Sequence, residues 1–132
     1  MTVRRVNPEH LAPPIGFSHA VVAEGSTIVF LAGQTALNAD NVIVGETMLE
    51  QFEQAFGNLL AALAEAGGEP ANLAKLTMFC TDVPAYRAQA REIGAAWKRM
   101  AGRDYPAMAL IGVSRLWDDE AMLEIEGIAV LP

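Results

Sequence analysis

Hydrophobic residues recur along this chain with two spacings, and the spacings divide it into elements. Leu49, Phe52, Phe56, Leu59, Leu60 and Leu63 follow an i, i+3, i+4, i+7 stripe, the repeat of a helix with one buried face. Thr47-Met48-Leu49-Glu50 has the form of a capping box, in which the threonine hydroxyl accepts from the third helical N–H and the glutamate reaches back. Gly67-Gly68 and Pro70 stop that helix, because glycine closes a C-terminus and proline cannot continue it. A second stripe of Tyr86, Ala90, Ile93, Trp97 and Met100 predicts another helix, opened by Pro84 and ended by Gly102.

The remaining segments alternate with period two, the mark of a strand. Leu76, Met78 and Cys80 point one way and Lys75, Thr77 and Thr81 the other. In the last segment Leu123, Ile125, Gly127 and Ala129 oppose Glu124, Glu126, Ile128 and Val130. Ala20–Ala23, a Glu24-Gly25-Ser26 turn and the run Ile28–Ala32 predict a β-hairpin. Its second arm is apolar on both faces, which places it centrally in the sheet. "NADNVIVG" carries turn chemistry around a short extended piece, and Tyr105-Pro106 stiffens the entry to a further strand. Two amphipathic helices on one face of a mixed, six-stranded sheet make a two-layer α+β sandwich. Ile128 and Val130 leave the other face apolar enough to need a cover, which self-association supplies.

Composition narrows the function classes. With 132 residues, 52% of them hydrophobic, residues 1–132 are expected to form one domain that buries roughly two-thirds of its unfolded surface. The single cysteine, Cys80, excludes an internal disulfide and a multi-cysteine zinc site. No apolar h-region follows Arg4-Arg5, and no apolar run nears the roughly 18 residues of a membrane span. The expectation is a cytoplasmic protein without membrane contact. A net charge of −7 with nine scattered basic residues repels a phosphate backbone, so no nucleic-acid partner is expected. His10 and His19 form no metal-ligand spacing, and no phosphate-binding loop is present, so no metal and no cofactor is expected.

Candidate chemistry is sparse. Glu124 and Glu126 stand two apart on one strand face, about 7 Å from each other, where the acidic pair gives way to Ile128 and Val130. A carboxylate at such a boundary is partly desolvated and suited to acid/base work, although a solvated strand face is the simpler reading of the pair. Gly33-Gln34 follows an apolar strand and offers backbone N–H groups and an amide. Cys80 points with Leu76 and Met78 and reads as a small buried hydrophobe. The centre of "YPAMALIGVSRL", Met108-Ala109-Leu110-Ile111, holds no acid, base, nucleophile or metal ligand.

The segments "APPIGFSHAV", "IVFLAGQT", "AKLTMFCTDVPAY", "YPAMALIGVSRL" and "LEIEGIAV" resemble, in order and spacing, the Rid family, also called YjgF or endoribonuclease L-PSP. The resemblance runs from about Pro14 to Val130. It implies a chorismate-mutase-like α+β fold and a homotrimer whose sheets pack around a central barrel, with ligand clefts between subunits. It also implies an activity, the hydrolysis of reactive enamines and imines. In active members an arginine following Pro-Ala grips the carboxylate of a 2-imino acid, and a glutamate of the last strand helps place the hydrolytic water. Aligned on those motifs, Glu124 is the catalytic candidate. The ligand-binding positions are Ser18, Ala32, Gly33, Gln34, Ala90, Ala107, Met108 and Leu110, and Arg115 is retained. Met108 stands where the arginine is expected, and Ser18, Ala32, Ala90 and Leu110 also depart from the family residues.

Losing a bidentate Arg–carboxylate contact removes about 3–6 kcal/mol of recognition. Activity on 2-imino acids is therefore expected to be weak or absent. Two readings stay open. One is a non-canonical Rid protein whose intersubunit cleft takes a small, mostly uncharged metabolite and hydrolyses an imine- or enamine-type electrophile. The other is a non-catalytic trimeric binding or accessory protein.

Overall fold

The computed structural model describes residues 3–132. The strands are β1 (Val3–Val6), β2 (Ala20–Ala23), β3 (Thr27–Gln34), β4 (Leu73–Cys80), β5 (Ala107–Gly112) and β6 (Leu123–Leu131), and the helices are α1 (Met48–Glu65), α2 (Val83–Ala88) and α3 (Ala90–Ala101). The fold is the expected α+β class, with the helices on one face of a mixed sheet.

The central sheet has the order β3-β6-β4-β5. β6 runs antiparallel to both β3 and β4, while β4 and β5 are parallel. The alternation of the sequence fixes its faces. Leu76, Met78, Cys80, Leu123, Ile125 and Ala129 are buried beneath the helices. From α1, Phe52, Phe56, Leu59 and Leu63 descend onto them with no exposed surface. Fully burying such side chains is worth about 1.5–3 kcal/mol each, so this layer supplies most of the drive to fold. The capping box forms as expected: Thr47 Oγ1 accepts from Glu50 N at 3.1 Å, and Glu50 Oε1 accepts from Thr47 N at 3.1 Å.

Four expectations need correction. Ala20–Ala23 and Ile28–Ala32 do not pair as a hairpin: β2 pairs with β1, and β3 pairs with β6. The turn residues between them mark a crossing from one sheet to another. β3 is an edge strand, not a central one, and its apolar outer residues Ile28 and Phe30 are exposed. The six strands form a four-stranded sheet and a two-stranded ribbon; a parallel bridge between Ser18 and Ala107 links the segment before β2 to β5. The second helix is broken at Gln89, which caps the end of α2 and the start of α3. Gln89 Oε1 accepts from Leu49 N at 3.0 Å, so the break gives α1 an acceptor for one of the free N–H groups of its first turn. The extended piece near Val42 contributes one bridge, Leu37 to Ile43.

One buried group had no signature in the hydrophobic pattern. Gln51 lies inside the α1 core face. Its Nε2 donates to Gly45 O at 3.1 Å and Glu120 O at 2.9 Å, and its Oε1 accepts from Met122 N at 2.8 Å. It fastens the loop that leads into β6.

Candidate functional site

The two strands that carry the candidate residues present them to opposite sides of the sheet. Met108 pairs with Leu76 and Leu110 with Met78, so both share the helix-covered face. Glu124 pairs with Phe79 and Glu126 with Thr77, the alternate residues of β4, whose side chains emerge on the uncovered face. One chain therefore does not bring Glu124 and Met108 together, although the motif positions suggest a single site.

On the uncovered face, Glu124 meets Gly33. The register of β3 against β6 slips between Leu31 and Gln34, leaving an extra residue on β3 opposite Glu126. Such a bulge turns backbone out of the ladder. A side chain at position 33 would displace the Glu124 carboxylate: its Cβ would lie 2.5 Å from Glu124 Oε2. Ala32 and Gly33 are exposed and Gln34 is half-buried. Glu124 is half-buried and takes no part in the ion pairs of the described residues.

The open recess in front of Glu124 is bounded by Arg115, Leu116 and Trp117. Arg115 lies in the loop beyond β5, where its guanidinium donates to Leu116 O and Trp117 O at 3.1 Å each and pairs with Asp119 at 2.8 Å. It shapes the loop and lies on the Glu124 side, away from Met108. Trp117 is 91% exposed.

On the helix face, a cavity of about 490 Å³ opens between α3 and β5. Met78 and Met108 are part of its floor, with Trp97, Tyr86 and Ile93 from the helices. Ala90 reaches this cavity; Leu110 shares the face but packs into the core. Burial pushes the Tyr86 phenol up to about 12 and raises the Cys80 thiol. Each group is neutral as an acid, and its anion is disfavoured away from water.

Ser18 and Ala107 have structural positions. The Ser18 hydroxyl donates to Tyr105 O at 2.6 Å, and Ser18 N donates to Pro106 O at 3.0 Å. These bonds tie the loop before β2 to the entry of β5 and occupy the hydroxyl's donor. Among the described residues no group of three or more His, Cys, Asp or Glu side chains is arranged to hold a metal, and no helix is long and apolar enough to cross a membrane.

Residues 8–131 match the family model described as endoribonuclease L-PSP. A RutC family protein of Synechocystis is 33% identical over all of this chain and 99% of its own length. A 2-iminobutanoate/2-iminopropanoate deaminase of Dermatophagoides farinae is 30% identical over 99% of each chain. A crystal structure of a Yersinia pestis protein of unknown function from the conserved Rid family superposes with a TM-score of 0.88, at 38% identity over 99% of this chain and all of that one. The similarity to these proteins over the full length of the fold, together with the family match, establishes that this chain belongs to the endoribonuclease L-PSP family, the Rid or YjgF family.

Proposed function

We propose that the protein hydrolyses a small imine- or enamine-type electrophile in a cleft completed by a second copy of the chain, with Glu124 as the general acid/base. The observation that carries this reading is Glu124 itself: half-buried, outside the ion pairs, and set against a glycine with no side chain to shield it. The carboxylate takes a proton from water as the oxygen adds to the C=N carbon. It passes that proton to nitrogen to give a carbinolamine, then relays the hydroxyl proton to the same nitrogen as the C–N bond breaks, so imine and water become a carbonyl compound and ammonia. Gly33 and Gln34 lie beside the same point and would orient the substrate.

The partner copy follows from the separation of Glu124 and Met108 on two sheet faces. A closed homotrimer with the uncovered faces inward would bury Ile28 and Phe30 and bring each Glu124 face towards a neighbour. The substrate part resting on Met108 is uncharged, because a thioether cannot balance a desolvated carboxylate. The test is hydrolysis of 2-iminopropionate and of a neutral imine by wild type and Glu124→Gln. Turnover of the neutral imine, reduced at least about a hundredfold by the substitution, is the expected result. No turnover, or an unaffected variant, removes the catalytic reading.

The second reading is a trimeric binding protein without catalysis. It is favoured by the engaged Ser18 hydroxyl and by the apolar Ala32, Ala90, Met108 and Leu110. Saturable binding of a carbonyl metabolite panel with no turnover of any member would support it.

A further inference from the structure

The cavity between α3 and β5 is apolar at its floor and basic at its mouth. Among the described residues, Arg91 and Lys98 are its charged lining residues and no carboxylate lines it. They are seven residues apart on α3, about 10 Å along the axis and on the same side of the helix. Neither takes part in the ion pairs of the described residues, whereas the adjacent Arg99 is paired with Glu53. On a chain of net charge −7, they give the mouth of this cavity a local positive charge.

Two further observations concern the same cavity. Gly94 lies between Arg91 and Lys98 and lines it, and a Cβ added there would meet nothing within 4 Å. A glycine inside a helix weakens it, and here no close packing and no positive φ requires one. What it provides is room at the mouth. Trp97, only 4% exposed, is also in the lining, and its indole Nε1–H is buried without a hydrogen-bond partner.

We propose that this cavity binds an organic anion with a planar, apolar body, the body lying over Met108 and Trp97 and the charged end held at the mouth by Arg91 and Lys98. The inference rests on the cleft reading above and deepens it. Charge is excluded at Met108 and placed at the opposite end of the molecule from the group that meets Glu124. The ligand class is therefore one in which the anionic group and the reactive carbon are far apart.

The chain has two tryptophans, Trp97 and Trp117, so Trp117→Phe leaves Trp97 as the sole indole reporter. In that background, phenylacetate and its neutral counterpart phenylacetamide are titrated at low salt while indole emission is followed. Phenylacetate is expected to saturate the Trp97 response at about one-tenth the concentration that phenylacetamide needs. Arg91→Gln with Lys98→Gln is expected to erase that preference while leaving the phenylacetamide curve in place. Gly94→Leu is expected to abolish the response to both probes while the melting transition stays cooperative. Equal half-saturation, a preference that survives removal of both cations, or no saturable response to either probe overturns the proposal. Imine hydrolysis is measured separately: hydrolysis without these titration results sinks the anion site alone, and these results without hydrolysis sink the catalytic reading alone.

Discussion

Gly33 lies against the Glu124 carboxylate, which makes Gly33 a sensitive probe. Gly33→Ala inserts a methyl group where the Glu124 carboxylate now stands, so the acid must swing away. The expected outcome is a loss of at least about tenfold in imine hydrolysis, with the melting temperature little changed because both residues border solvent. Tyr86 yields a second residue-scale prediction. Its phenol is raised from 10 to about 12 by burial. A raised acid favours the fold while protonated, so its stabilising effect is complete below pH 10 and is lost as pH climbs from about 10 to about 12. Unfolding free energies from denaturant titrations across that window should fall by up to about 1.4 kcal/mol per pH unit. Tyr86→Phe should flatten much of the decline, leaving the smaller contribution of Cys80. At this scale the sequence pointed to Glu124, Gly33 and Met108 as lining a cleft between subunits, but not to the division of Glu124 and Met108 between opposite sheet faces of one chain. Alternation tells which residues of one strand share a face; only the register between strands tells which faces coincide.

Among the elements, α1 and α3 were legible because their stripes are long and their ends carry glycine and proline. Gln51 was not, because a glutamine inside a leucine and phenylalanine face breaks the pattern, and two of its partners lie 69 and 71 residues away. Removing it by Gln51→Ala strands three backbone groups and should cost about 2–4 kcal/mol in chemical denaturation. The break at Gln89 was hidden for a similar reason: its acceptor serves a backbone N–H on α1, 40 residues earlier. The misread hairpin has another cause. Local turn signals state that the chain bends after Ala23, not which strand receives it, and the β1 partner begins 20 residues upstream of its match. For α3 the expectation is a gain. Gly94→Ala should stabilise the protein by about 0.5–1 kcal/mol, since nothing occupies the space of the new methyl group.

At the scale of the whole molecule, the uncovered sheet face decides behaviour. Phe30 is 77% exposed and Ile28 59%, a strip that a water-soluble chain seldom leaves bare. If copies cover it, Phe30→Asp should reduce the sedimenting mass from that of the trimer to that of a single chain. A wild-type protein that already sediments as one chain would sink the assembly. The apolar character of that face was readable from Ile128 and Val130; the placing of Glu124 and Met108 on opposite faces was not, because it depends on how β5 and β6 are ordered around β4.

The division of Glu124 and Met108 between two sheet faces has one more consequence. If each site borrows its acid from one chain and its floor from the next, a defect in either half travels with its subunit. Glu124→Gln chains and Gly94→Leu chains, each inert alone, should then rescue one another when unfolded together and refolded as a mixture. Random assortment would restore about one quarter of the wild-type sites. A mixture that stays dead would mean that every chain carries its whole chemistry on its own.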